Sequence, residues 1–137
     1  SIMVAMALGV CSQGMGGAAA YTLNVQANLP KSWIAAILLP HVADILLNHL
    51  PARMAELAPV MDSSIDEVVT EEATPVVARS IRRLVGRLDL PKRLGELDVD
   101  LSTVLSTVDQ ISAFPWLRHS QVPTSAEDIA ALLKSAF

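Results

Sequence analysis

The 137-residue sequence has little of several residue types, and each scarcity excludes a class of protein. Its one cysteine, Cys11, has no partner for an internal disulfide, which is typical of a reducing compartment and predicts a cytoplasmic protein. The 10 lysines and arginines are outnumbered by 14 acidic residues, and a net charge of -4 provides no basic surface for phosphates. A disulfide-rich scaffold is excluded, and we expect no nucleic-acid partner.

A long uninterrupted apolar run is also lacking near the N-terminus. Residues 2–25 are largely apolar, but Gly9, Gly14, Gly16 and Gly17 interrupt them, and no basic segment precedes them. A membrane span needs about 20 predominantly apolar residues, and a signal peptide begins with a basic segment. The pattern predicts a small-residue helix that packs closely against its neighbours, and we expect no membrane association.

What the sequence has in excess is apolar side chains. Hydrophobic residues make up 52% of the chain, and the mean hydropathy is +0.44. A chain of this length forms one domain with a real core, and monomers rarely expose large apolar patches. We predict that part of the surface is a contact with another domain, the interface of a homo-oligomer, or the wall of a cavity for a hydrophobic small molecule.

Apolar residues at helical spacing predict an all-α fold, with a single helical domain over residues 1–137 and no β-strand. Ser32 is expected to cap a helix that begins at Trp33, and Pro40 is expected to kink it. Residues 101–114 are predicted to form one amphipathic helix. Two capping boxes and one Thr-Pro step predict further helix starts: Ser64 with Glu67, Thr124 with Glu127, and Thr74-Pro75.

The helix predicted after Thr74-Pro75 has an apolar side and a basic side. Arginines occupy much of the surface beside the apolar face, and we interpret them as solvated; a site for an anion or an acidic partner is the alternative. The apolar face consists of Val77, Ile81, Leu84, Val85 and Leu88, and the arginines are Arg79, Arg82, Arg83 and Arg87.

Three segments together resemble the iron-containing alcohol dehydrogenase family. They are ILLPHV at residues 37–42, RSIRRLVGRLDLPKRLGEL at residues 79–97, and VPTSAEDIAALLKSAF at residues 122–137. The segments follow the family's order, but they resemble only its C-terminal, helical half. The resemblance implies a helical bundle like the C-terminal domain of these enzymes and of dehydroquinate synthase-like proteins. We expect the family's nucleotide-binding domain to be absent from these 137 residues.

The resemblance also implies where a metal ion would bind, and the ligands are missing there. The family places histidines at positions that correspond to Tyr21, Val25 and Lys31, and an aspartate from further upstream completes its ligand set. No histidine, aspartate, glutamate or cysteine lies between Ser12 and Pro40. A divalent first-row metal needs several such groups. The sequence predicts a degenerate metal site and no cofactor.

Polar and aromatic residues near these positions are the candidates for a remaining site. Tyr21 could donate a proton or orient a carbonyl, and Lys31 could stabilise an enolate or a carboxylate, so we predict these two as catalytic. A core tyrosine and a solvent-exposed lysine are the plainer interpretations. The predicted substrate-binding residues, for which packing or a surface role is the alternative, are Asn24, Gln26, Asn28, Trp33 and His41.

Two functions follow from the resemblance and the missing ligands. In the first, the chain is a stand-alone, metal-free relative of the helical domain that binds a hydrophobic small molecule, as a homo-oligomer, and catalyses a non-redox cyclisation, isomerisation or dehydration. In the second, it is a partner subunit or fragment of an NAD(P)-dependent alcohol dehydrogenase-like enzyme that docks onto a separate nucleotide-binding chain. The excess of arginine over lysine indicates a bacterial source.

Overall fold

A computed structural model describes residues 14–65 and 69–137, and these residues form a series of helices. No β-strand occurs within these residues, which confirms the predicted all-α fold. Cys11 and the first part of the predicted N-terminal helix lie outside them. The helices are α1 (Met15–Ala27), α2 (Lys31–His49), α3 (Pro51–Ala55), α4 (Ala58–Met61), α5 (Thr70–Gly86), α6 (Leu101–Ser106), α7 (Val108–Ser112) and α8 (Ala126–Ala136), with 3₁₀ turns at Leu94–Leu97 and Pro115–His119.

Helices α1 and α2 form an antiparallel pair that contributes much of the main core. Asn28 ends α1 in a left-handed backbone conformation with φ of 54°, and the chain reverses before α2. Alanines 18–20 are fully buried, and a Cβ added at Gly16 would lie 3.0 Å from Val42 Cγ2. Small residues let the two helices approach closely, as the sequence predicts.

The start of α2 differs from the prediction. The helix begins at Lys31 rather than Trp33, and it continues through Pro40 to His49. Pro30 occupies the N-cap position without a side-chain hydrogen bond, and Ser32 lies inside the first turn. The predicted capping role of Ser32 is wrong, because the tight turn after α1 begins the helix two residues earlier.

Within the described part of the chain, α2 is long and apolar enough to cross a membrane by length and composition. Its Ile34, Ile37 and Leu38 are nevertheless at most 1% exposed, because they pack against other helices of the main core. This buried face is what a core helix requires. The expectation that the chain spans no membrane stays a prediction.

A second core cluster lies where α5 packs against α2, α3 and α4. It contains Ala73, Val77 and Ile81 of α5 together with Ala43 of α2 and two further alanines, Ala55 and Ala58. Helix α5 begins at Thr70 and continues through Pro75, so the predicted start at Thr74-Pro75 is wrong.

The apolar face predicted for α5 is narrower than expected. Val77, Ile81 and Val85 are buried, whereas Leu84 and Leu88 are 58% and 42% exposed. Glu67, the predicted capping-box partner of Ser64, lies outside the described residues. Ser64 itself donates its backbone and hydroxyl hydrogens to the Asp62 carboxylate.

Residues 101–114 form two short helices instead of the single predicted helix. Asp100 caps α6 by accepting a hydrogen bond from the Thr103 backbone N–H at 2.8 Å. Hydrogen bonds from Ser102 and Thr103 lower the pKa of Asp100 to about 2. At the break, the buried Thr107 donates its hydroxyl hydrogen to the Val104 carbonyl at 2.7 Å. Such local bonds compete with regular helix bonding, which explains why one helix becomes two.

Helix α8 begins with a capping box one residue later than predicted. The Ser125 hydroxyl accepts from the Asp128 backbone N–H at 3.2 Å, and the Asp128 carboxylate accepts from the Ser125 backbone N–H at 3.0 Å. The predicted pairing of Thr124 with Glu127 is wrong. Thr124 lies outside the helix, with its hydroxyl 3.5 Å from the Leu117 carbonyl.

Replacing Ser125 by alanine removes one partner of this capping box. We expect the free energy of unfolding to fall by about 1 kcal/mol, because the Asp128 N–H loses its acceptor at the helix end. Ser32→Ala is the matched control and should leave stability nearly unchanged, since Ser32 makes no capping bond. Urea unfolding of both variants checks this, and equal losses would contradict the assignment of the cap.

Candidate functional site

Tyr21 and Lys31, the two predicted catalytic residues, lie side by side on the surface. Tyr21 is on the outer face of α1 and is 48% exposed, and Lys31 is the exposed first residue of α2. The Lys31 Nζ lies 5.7 Å from the centre of the Tyr21 ring, which is a cation–π arrangement. The turn at residues 28–30 brings them together, because it places the start of α2 beside the end of α1.

Two aromatic residues from the C-terminal part of the chain join Tyr21. The rings of Tyr21 and Phe114 meet edge to face with their centres 5.9 Å apart, and Phe114 stacks on Trp116 at 4.2 Å. The Trp116 Nε1 atom is buried and has no hydrogen-bond partner among the described residues. We call Tyr21, Phe114 and Trp116 the aromatic cluster. It forms an apolar wall beside the Lys31 ammonium group.

The sequence does not single out Phe114 and Trp116, because Phe114 is only the last residue of the helix predicted over residues 101–114. Both residues are far from Tyr21 in the sequence, and the packing of α7 against α1 brings Phe114, with Trp116 stacked on it, close to Tyr21. Composition offered one signal: aromatic residues are only 4% of the chain, and three of the five belong to the aromatic cluster. When a residue type is rare in a chain, several of its members in contact indicate a site that their spacing in the sequence does not.

The predicted substrate-binding residues near this cluster have different surroundings. Asn24 donates from Nδ2 to the Leu29 carbonyl at 2.7 Å, and this bond holds the turn between α1 and α2. Gln26 donates from Nε2 to Gln110 Oε1 of α7 at 2.9 Å. Asn28 is exposed at the end of α1, and Trp33 is 39% exposed near the start of α2. Gln110, which the sequence did not single out, therefore positions Gln26.

His41 lies in a different surface region from Tyr21 and Lys31. It lies ten positions after Lys31 on α2, which corresponds to about 15 Å along the helix. The His41 Nδ1 is 3.1 Å from the Ser135 Oγ of α8. An open cavity of about 380 Å³ between α2 and α8 contains both residues, with Asp44 and Asp128 in its wall. The structure brings Tyr21 and Lys31 together but not His41.

Partial burial lowers the pKa of His41 below its usual 6.5, and the nearby Asp44 carboxylate opposes this shift. The unfolded chain therefore takes up a proton at higher pH than the folded protein does. We expect the stability that neutral His41 contributes to be present above pH 6.5 and to be lost as the pH falls through its lower folded pKa. His41→Gln should make stability less dependent on pH between about 5 and 8.

Urea midpoints measured across this pH range check the expectation. His119→Gln, at an exposed histidine, is the matched control. An unchanged pH dependence in His41→Gln would show that His41 does not couple protonation to folding.

The three positions that the resemblance assigns to metal ligands do not fit a metal ion. Tyr21 and Val25 lie one turn apart on α1 and are 48% and 61% exposed, with Lys31 beside Tyr21. A valine has no donor atom, and an ammonium group has no lone pair. Among residues 14–65 and 69–137, no group of three or more His, Cys, Asp or Glu side chains could hold a metal ion. Residues 21, 25 and 31 therefore offer no imidazole or carboxylate to a metal ion.

The all-α fold and the chain order of the segments at residues 37–42, 79–97 and 122–137 are those of the helical half of a dehydrogenase. The sequence model described as Fe-containing alcohol dehydrogenase family, C-terminal, matches residues 1–137. This chain belongs to that family, and the resemblance drawn from its sequence is confirmed.

Similar proteins agree with this assignment. The 1,3-propanediol dehydrogenases of Citrobacter freundii and Klebsiella pneumoniae are each 30% identical over 99 residues, which cover 72% of this chain and 26% of each relative. A crystal structure of 1,3-propanediol oxidoreductase matches 90% of this chain and 32% of its own, with a TM-score of 0.80 and 26% identity. An alcohol dehydrogenase from Oenococcus oeni matches 92% of this chain and 33% of its own, with a TM-score of 0.80 and 21% identity. The chain spans about a quarter of the length of the curated relatives.

Proposed function

We propose that this chain forms the helical wall of a substrate cleft that binds a small organic acid or ketone without a metal ion. The observation that carries the proposal is the Lys31 ammonium group 5.7 Å from the Tyr21 ring centre, beside the aromatic cluster. The ammonium group can bind a carboxylate or a developing enolate, and the Tyr21 hydroxyl can supply a proton. The aromatic cluster can pack against an apolar body of the ligand.

The same residues favour a step without hydride transfer, such as an isomerisation, cyclisation or dehydration. Such steps need a positioned acid or base and stabilisation of negative charge, which Tyr21 and Lys31 can supply. Tyr21 and Trp33 are 48% and 39% exposed. A ligand bound beside them would contact the described helices on one side only. We propose that a second wall comes from a nucleotide-binding domain, on this or another chain, or from a second copy of this chain. A cytoplasmic location in a bacterium stays a prediction.

Binding of cinnamate, an apolar carboxylate, to the full-length protein tests the proposal. Calorimetric titration should give the same affinity with and without EDTA, because no metal takes part. Lys31→Met keeps the length of the side chain and should weaken binding about tenfold through the loss of one charge-assisted hydrogen bond. Lys134→Met, at an exposed lysine of α8, is the control and should bind as the parent protein does. Equal affinity of the Lys31 variant and its control, or loss of binding in EDTA, would contradict the proposal.

A second candidate function is NAD(P)-dependent alcohol oxidation, and family membership favours it. The matching relatives are 1,3-propanediol dehydrogenases, of whose length this chain spans 26%. The full-length protein can be supplied with 1,3-propanediol, NAD⁺ or NADP⁺, and Fe²⁺. Formation of NADH or NADPH that EDTA abolishes would establish this second function and refute the metal-free one.

A further inference from the structure

Arg83 of α5 and Arg87, which directly follows the helix, line an open groove that is separate from the aromatic cluster. The groove has a volume of about 320 Å³ and is lined by Met61, Ser80, Arg83, Leu84 and Arg87. Ser80, Arg83 and Arg87 recur three and four residues apart, so they lie in one stripe that runs along α5 to the residue that caps its C-terminal end. Met61 of α4 forms part of the other wall.

The other two arginines of α5 have acidic neighbours. Arg82 donates from Nη2 to both oxygens of the Asp44 carboxylate, at 2.6 and 2.7 Å. Asp62 has a lowered pKa chiefly because of hydrogen bonds from Ser64, and the charge of Arg79 adds to the effect.

Arg83 and Arg87 differ from them in their surroundings. Within residues 14–65 and 69–137, neither forms a salt bridge with a carboxylate. Although the chain carries a net charge of -4, the described residues that line this groove include two arginines and no carboxylate.

We propose that this groove binds a small organic phosphate. Two guanidinium groups and the Ser80 hydroxyl offer more charge and more donors than one carboxylate can accept, because a single arginine already binds a carboxylate through two hydrogen bonds. A phosphate monoester carries a charge of about -1.5 to -2 and three acceptor oxygens, which match two arginines and a serine. The planar guanidinium group is well suited to this geometry.

The remaining walls of the groove define the rest of the ligand. Met61 and Leu84 are 38% and 58% exposed, and they can cover an apolar group attached to the phosphate. A volume of about 320 Å³ is at the small end of ligand sites, so the groove suits a compact phosphate monoester rather than a dinucleotide. The C-terminal end of α5 carries partial negative charge, which attracts arginines but repels an anion. Binding of the anion therefore depends on the arginine side chains.

Phenyl phosphate is the probe for this site, and ligand-observed NMR titration of the full-length protein measures its dissociation constant. We expect the double variant R83Q/R87Q to bind it at least tenfold more weakly than the parent. The control R93Q/R118Q removes the same charge at two exposed arginines elsewhere and should bind as the parent does. Inorganic phosphate should bind more weakly than phenyl phosphate, because it makes no contact with Met61 and Leu84.

Benzyl alcohol has a similar ring without the phosphate and should not compete. Three results would overturn the proposal: no binding of phenyl phosphate to the parent, equal weakening in R83Q/R87Q and R93Q/R118Q, or competition by benzyl alcohol at equal strength. Inorganic phosphate that binds as tightly as phenyl phosphate would overturn the assignment of the apolar wall. All four substituted arginines are exposed, so thermal unfolding should show that both double variants fold as the parent does.

Discussion

Replacing Leu38 by alanine is expected to lower the free energy of unfolding by about 3 kcal/mol. Leu38 is 1% exposed and belongs to the main core, where α2 packs against α1 and the C-terminal helices. The substitution removes buried methyl and methylene groups and leaves a cavity that the packed helices fill only in part. A loss of this size is a large fraction of the stability of a small domain.

Leu39 provides a matched control for Leu38, because it is the same residue type one position later on the same helix. It is 42% exposed, so Leu39→Ala should cost less than about 1 kcal/mol. Urea unfolding monitored by circular dichroism gives both free energies if the slopes of the transitions agree. Comparable losses at the two positions would show that the face of α2 turned towards the core is assigned incorrectly.

The triple variant Tyr21→His, Val25→His and Lys31→His should gain a metal site that the natural side chains do not provide. Tyr21 and Val25 lie one turn apart on the exposed face of α1, and the Lys31 Nζ is 5.7 Å from the Tyr21 ring centre. Two histidines four residues apart on a helix can bind Zn²⁺ together, and a third from the start of α2 can complete a three-ligand site. We expect Zn²⁺ to bind about a hundredfold more tightly than to Val25→His alone, because each added ligand binds intramolecularly.

A second triple variant separates geometry from histidine content. It carries Tyr21→His and Val25→His as before, but its third histidine replaces Lys134 on α8 instead of Lys31. Competition against a chromophoric zinc chelator measures the affinities of both. The variant with Lys31→His should bind Zn²⁺ more tightly. If the two triple variants bind equally, the start of α2 does not lie where a third ligand is needed, and the correspondence of Lys31 with a family histidine is wrong.

The sequence predicted one part of the candidate site better than the rest. The resemblance assigns Tyr21 and Lys31 to one site, and the turn at residues 28–30 between α1 and α2 brings them side by side. Phe114, Trp116 and Gln110 reach the same region through packing between distant helices, for which no sequence spacing exists. His41 was predicted to belong to the same site, but it lies further along α2, away from Lys31 and in contact with Ser135.

Helix boundaries show a similar division. Periodic apolar residues predicted the helical fold, since burying one face of a helix requires that spacing. The predicted starts of three helices are wrong, because Ser32, Thr74 and Thr124 each satisfy a local rule for a helix start, whereas the folded helices begin at other residues. Pro75 lies within α5, and Thr107 divides a predicted helix in two.

By itself, the sequence determined that this protein is all-α, that it belongs to the Fe-containing alcohol dehydrogenase family, and that residues 21, 25 and 31 carry no imidazole or carboxylate. These properties depend on residue identity and local spacing. The tertiary structure alone decided that Phe114 and Trp116 extend the Tyr21 surface, that His41 lies apart, and that Arg83 and Arg87 share a groove with Met61. The physical reason is that contacts between distant helices depend on how their side chains fit together, which no periodicity within one helix records.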